Sequence, residues 1–97
     1  MADTIDVKLR SGRVVTLRDL NGLEQTNADK AAREIMAIPS YRAAMAVSAI
    51  DGESVIPPKT DLELEAILSR FSGRELSQIV NAFGKNYGLT NEDLGNE

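Results

Sequence analysis

The stretch Ile5-Asp-Val-Lys-Leu-Arg-Ser-Gly-Arg-Val-Val-Thr-Leu17 decides how the fold begins. Ile5, Val7 and Leu9 alternate with Asp6 and Lys8, the period-two pattern that gives a strand one apolar face. Val15 and Leu17 share that face, Val14, Thr16 and Arg18 point away, and Ser11-Gly12 supplies a turn at which glycine tolerates positive φ. The reading is a β-hairpin over roughly residues 4–18. Two strands alone are marginal in water, so this hairpin must lie against helices, pair with another strand or pair with a partner.

Working outward, Asp19-Leu-Asn-Gly22 is a helix start signal followed by Glu24 in the first turn. A helix is expected to about Ala37. Leu23, Asn27, Ala31 and Ile35 form its apolar stripe, widened by Ala28, Ala32 and Met36, with Glu24, Asp29, Lys30 and Arg33 mainly outside. Ile38-Pro39 interrupts it, because the residue before proline is disfavoured in the α region. Ser40 then caps a second, alanine-rich helix from Tyr41 to about Ile50 that contains Met45 and Val47.

Ala49-Ile-Asp-Gly-Glu-Ser-Val-Ile-Pro-Pro58 reads as a turn at Asp51-Gly52, with Val55-Ile56 extended before two prolines that stop any helix. Thr60-Asp-Leu-Glu63 has the form of a reciprocal capping box, and its helix carries Leu64, Ile67, Leu68 and Phe71 on one stripe. Ser72-Gly-Arg-Glu75 repeats the device. Leu76, Ile79, Val80, Phe83 and Tyr87 follow at helical offsets, Gly88 closes the helix, and Leu89 to Glu97 reads as a flexible acidic tail. The fold class expected is α+β, mostly helical, with an N-terminal hairpin on three or four helices. Residues 1–88 form one domain and 89–97 its tail.

Composition narrows the chemistry. At 97 residues one small domain is expected, with modest burial. Hydrophobic residues make up 42% but aromatics only 4%, so the core must be aliphatic. The chain has no Cys and no His, which removes disulfides, thiolate metal sites, the usual proton shuttle and the commonest metal ligand. A formal charge of -4 repels phosphate backbones, and only a basic face built from Lys8, Arg10, Arg13 and Arg18 would reopen nucleic-acid binding. Apolar runs are far too short to span a bilayer, and Met1-Ala-Asp-Thr lacks the basic and apolar regions of a signal peptide.

No constellation specifies a reaction, so no catalytic, cofactor-binding or metal-binding residue is assigned. Asp51 and Glu53 beside Gly52 and Ser54 make a turn and lack the ligand spacing of a calcium loop. Asp61, Glu63 and Glu65 suit the positive end of a helix dipole. Ser11-Gly12 between Arg10 and Arg13 lacks the repeated glycines of a phosphate cradle. Phe71, Phe83 and Tyr87, at helical spacing among aliphatics, belong to a core. Tyr41 and Met45 are partner-binding candidates, since methionine is frequent on surfaces that repack around partners, and Leu89 and Leu94 in the polar tail are candidates for docking.

The run from Val7 to Leu20, then Ala49 to Pro58, then Leu62-Glu-Leu-Glu-Ala-Ile-Leu68 resembles phage tail assembly chaperones, most closely the small ones of contractile-tailed, Mu-like phages and prophages. The likeness extends from the hairpin to about residue 83. It implies a noncatalytic assembly factor in the host bacterial cytoplasm, absent from the mature virion. The partners it implies are the tape measure protein, the tail tube protein and, where a translational frameshift occurs, a longer form of the chaperone itself. Helix grooves would take apolar helical segments of the tape measure, and the hairpin edge could add a strand to a tube subunit. A homo-oligomer, strand-edge pairing included, is also compatible with the residues. The alternative is an acidic adaptor or antitoxin-like regulator that binds a basic protein.

Overall fold

The computed structural model describes residues 4–87. Strands β1 (Thr4–Lys8) and β2 (Val14–Arg18) form the expected hairpin, with Ile5 opposite Leu17 and Val7 opposite Val15. The Leu9 N–H donates to the Arg13 carbonyl and the Gly12 N–H to the Leu9 carbonyl, while Gly12 adopts φ +99°. That left-handed residue ends a three-residue loop whose bulge keeps the two strands in register.

Helix α1 (Gly22–Ala32) starts at Asn21, whose side chain accepts from the Glu24 N–H while the Glu24 carboxylate accepts from the Asn21 N–H. It stops earlier than the sequence suggests. Arg33 turns into the left-handed region at φ 67°, and a 3-10 turn (Ile35–Ala37) leads into α2 (Ile38–Ala46). Pro39 therefore opens a helix instead of breaking one, because a first-turn N–H has no intrahelical acceptor to lose. Ser40 lies inside that helix and does not cap it. Ala28, Ala31 and Ala32 are buried as expected, but Leu23, Ile35 and Met36, assigned to the same stripe, are exposed.

Residues 47–50, expected as the end of the second helix, are extended. Val47–Ile50 is strand β3, antiparallel to β2 with Ile50 opposite Val15 and Ala49 opposite Thr16. Asp51 and Gly52, both at positive φ, turn the chain into a two-residue strand β4 (Glu53–Ser54). The extended pair expected at Val55-Ile56 lies just past it. The result is one antiparallel sheet in the order β1-β2-β3-β4, so the hairpin both gains a strand and packs on helices.

Helix α3 (Asp61–Leu68) begins at Thr60, whose hydroxyl accepts from the Glu63 N–H. The reciprocal half of that capping box is absent, since Glu63 Oε1 accepts instead from the Lys59 N–H at 2.7 Å. Helix α4 (Gly73–Tyr87) has the full box between Ser72 and Glu75. The core joins Leu9, Val15, Leu17, Val47 and Ile50 of the sheet side to Ala28, Ala31, Ala43, Leu64, Ile67, Ile79 and Phe83 of the helices. Alanine dominates where α1 meets α2, and its short side chain lets those backbones approach closely. Gly88, the tail 89–97, Leu89 and Leu94 lie outside the described residues.

Candidate protein-binding surface

Charged side chains tie this small aliphatic core together at three places. Arg18 at the end of β2 grips Glu24 of α1 through both guanidinium nitrogens, at 2.9 and 2.7 Å. Arg42 of α2 grips Asp29 of α1 in the same two-point way, at 2.8 Å each. Glu75, buried at the start of α4, accepts from the Ser11 hydroxyl at 2.6 Å, from Arg13 at 3.2 Å and from the Ser72 N–H at 3.0 Å. Arg13 also lies over the Phe71 ring, 5.1 Å from its centroid.

These contacts favour the ionised carboxylates. The Ser11 hydroxyl, then the Ser72 N–H, hold the Glu75 carboxyl below its usual range, outweighing the opposing effect of burial. The Arg18 guanidinium does the same for Glu24. Arg13 and Arg18, two of the four cations a basic face would need, are thus engaged by carboxylates of this domain. Among the described residues every buried side-chain nitrogen and oxygen has a hydrogen-bond partner.

The surface is less complete than the interior. Met36 is 90% exposed and Ile35 75% exposed, both on the 3-10 turn before α2. Met36 lines a shallow groove of about 270 Å³ with Pro39, Leu76 and Val80, together with the polar Ser40, Ser77 and Asn81, between the start of α2 and the first half of α4. Leu23, Ile56 and Leu62 are exposed elsewhere. A second open hollow, about 540 Å³, lies between the hairpin loop and α4, with Arg10, Arg74, Gln78 and Asn81 along it.

Tyr41 and Met45, the candidates expected to offer a partner surface, sit one turn apart on α2 but in different surroundings. Tyr41 is half-buried, and its hydroxyl donates to Glu65 of α3 at 3.3 Å. Burial, then the neighbouring Glu65 carboxylate, raises its pKa above the ordinary phenol value. Met45 is only 5% exposed and belongs to the core, so of this pair only Tyr41 keeps appreciable surface. Leu89 and Leu94 lie outside the described residues. The groove beside Met36 was missed by sequence reasoning, which placed Ile35 and Met36 on a buried stripe. The signal was Pro39, whose fit to a first helical turn would have moved the break upstream and exposed both residues.

Among the described residues no group of three or more Asp or Glu side chains is gathered to hold a metal ion, and no helix is long and apolar enough to cross a membrane. What the surface does present is a set of exposed large apolar side chains, Ile35 and Met36 consecutive among them. Compared with family models, with curated proteins and with solved structures, the chain matches none.

Proposed function

We propose that this protein is a noncatalytic phage tail assembly chaperone, which holds the tape measure protein in the host bacterial cytoplasm, helps recruit tail tube subunits and leaves before the virion is complete. The observation that carries the reading is the exposure of Ile35 and Met36 on the turn before α2, where Met36 lines a groove with Pro39, Leu76 and Val80. Two consecutive large apolar side chains left in solvent gain burial when a partner covers them, and a groove bordered by an adaptable methionine suits a helix that presents apolar side chains. The resemblance implies a tape measure segment of that character. The sequence likeness described above supplies the identity of the partner, and the α+β fold with its four helices is compatible with it.

The test is coexpression of the tagged protein with the tape measure and tube proteins from the same gene neighbourhood, scored for soluble complex. Salt-tolerant capture of the tape measure, lost in Met36→Glu with Ile35→Glu, is the expected result. Both residues are exposed, so the double variant keeps the fold and the loss reads out the surface. Equal capture by the folded double variant rejects the groove. Capture of a basic toxin in place of either tail protein would favour the adaptor reading.

A further inference from the structure

Among the described residues strand β1 is bonded on one side only. It is the first strand in the sheet order, and no other strand pairs with it among the described residues. The hairpin bonds fix which backbone groups are left over. Leu9 exchanges hydrogen bonds with the loop and Arg13, so by alternation Val7 and Ile5 face β2, while Thr4, Asp6 and Lys8 direct their N–H and C=O groups outward. The phase agrees on the far side of β2, where the Asp51 N–H donates to the Val14 carbonyl. An open edge of this kind is a template for another strand. The opposite edge, β4, is only two residues long.

We propose that β1 pairs antiparallel with β1 of a second copy, in the register that sets Val7 opposite Val7 and Asp6 opposite Lys8. Directly opposed residues in an antiparallel pair share a face and a hydrogen-bonding sense, so a two-fold axis must pass through a residue of the strand. Centred on Asp6, the pairing sets two carboxylates face to face. Centred on Lys8, it opposes two ammonium groups. Centred on Ile5, it engages only Thr4 to Asp6 of the described strand and forms no ion pair. Centred on Val7, it opposes Asp6 and Lys8 twice on the solvent face and Ile5 and Leu9 twice on the core face. Opposite charges across a strand pair stabilise it and like charges destabilise it, so this register is favoured over the others.

Two further observations fit. Neither Asp6 nor Lys8 has an ion pair within the described domain. Thr16 donates to Asp6 Oδ1 at 2.7 Å, which holds the carboxylate over the sheet and leaves Oδ2 for a neighbour. On the other face Ile5 and Val7 are only half-buried, while Val15 and Leu17 opposite them are fully enclosed. A second β1 covers that gap and extends the sheet to eight strands. The dimer occupies the edge that strand addition to a tube subunit would need, so the two contacts exclude each other.

Sedimentation from micromolar to submillimolar protein tests this, with circular dichroism to verify that each variant is folded. The expected result is a concentration-dependent dimer weakened at least about tenfold in Asp6→Lys and in Lys8→Asp, since each exchanges two ion pairs for two repulsions. Mixing these two variants restores dimer as a heterodimer, as does the double swap within one chain. Because the chain has no native cysteine, Val7→Cys reports the register directly. Opposed non-hydrogen-bonded residues lie about 4.5 Å apart at Cα, within disulfide reach, so oxidation cross-links Val7→Cys and not Asp6→Cys. A monomer at every concentration, a dimer indifferent to both single reversals, or cross-linking of Asp6→Cys in place of Val7→Cys overturns the proposal.

Discussion

The Ser11 hydroxyl donates to the Glu75 carboxylate at 2.6 Å, joining the hairpin loop to the first turn of α4 across 64 positions of sequence. Glu75 at the same time caps its own helix through the Ser72 N–H and pairs with Arg13. One carboxylate thus closes a helix end and fastens the sheet to that helix. Protonation weakens all of these contacts together.

Acid should therefore loosen the domain. The folded pKa values of Glu75 and Glu24 are depressed, so the stabilisation they contribute is fully present above the unfolded glutamate value and is lost as pH falls through the folded values. Melting temperature measured from pH 7 down to pH 3 is expected to hold above the ordinary value of 4.5 and to fall below it. In Glu75→Gln the acid limb becomes shallower. An unchanged limb would place the proton uptake elsewhere.

The Arg42–Asp29 pair fixes α1 against α2 at the alanine interface. Arg42 keeps 14% and Asp29 31% of side-chain surface exposed, so the pair is partly screened. A double-mutant cycle on Arg42→Ala and Asp29→Ala in urea is expected to give a coupling of about 0.5–1 kcal/mol. A coupling near zero would mean that alanine packing alone holds the two helices.

Interior alanines and the exposed methionine should respond in opposite ways to substitution. Ala43 is fully enclosed, so Ala43→Leu overpacks the core and is expected to cost about 1–3 kcal/mol by denaturant unfolding. Met36→Glu, at an exposed position, should stay within about 0.5 kcal/mol of the parent. If Met36→Glu unfolds the domain, its effect on tape measure capture carries no information about a surface.

Gly12 closes the hairpin at φ +99°, with open space where a Cβ would project. The cost of Gly12→Ala is therefore backbone strain without a clash, expected at about 1–2 kcal/mol. Thermal unfolding monitored by circular dichroism measures it. A neutral result would show that the loop can adopt another turn.

Local chemistry sufficed wherever an element depends on its own neighbours. The alternation from Ile5 to Leu17, the Ser11-Gly12 turn, the Asn21 and Ser72 caps, the Asp51-Gly52 turn and the stripe through Ile79 and Phe83 are all legible because their periods and caps are written within a few residues. The partner candidates were less legible. Tyr41 and Met45 differ in exposure only because α3 and the core close over one more than the other, which no spacing on α2 reveals.

The sequence by itself determined an α+β domain with a hairpin, capped helices and an aliphatic core, since these follow from short-range patterning and composition. Only the tertiary structure decided that Val47–Ile50 is a strand, because its extended form is stabilised by a ladder to Val15 and Thr16, more than 30 positions away, against the helical preference of the alanines before it. It likewise decided that Arg33, not Pro39, ends the first helix, and so which apolar side chains face solvent. Burial is a property of what packs against a residue, and for Met36 little among the described residues does.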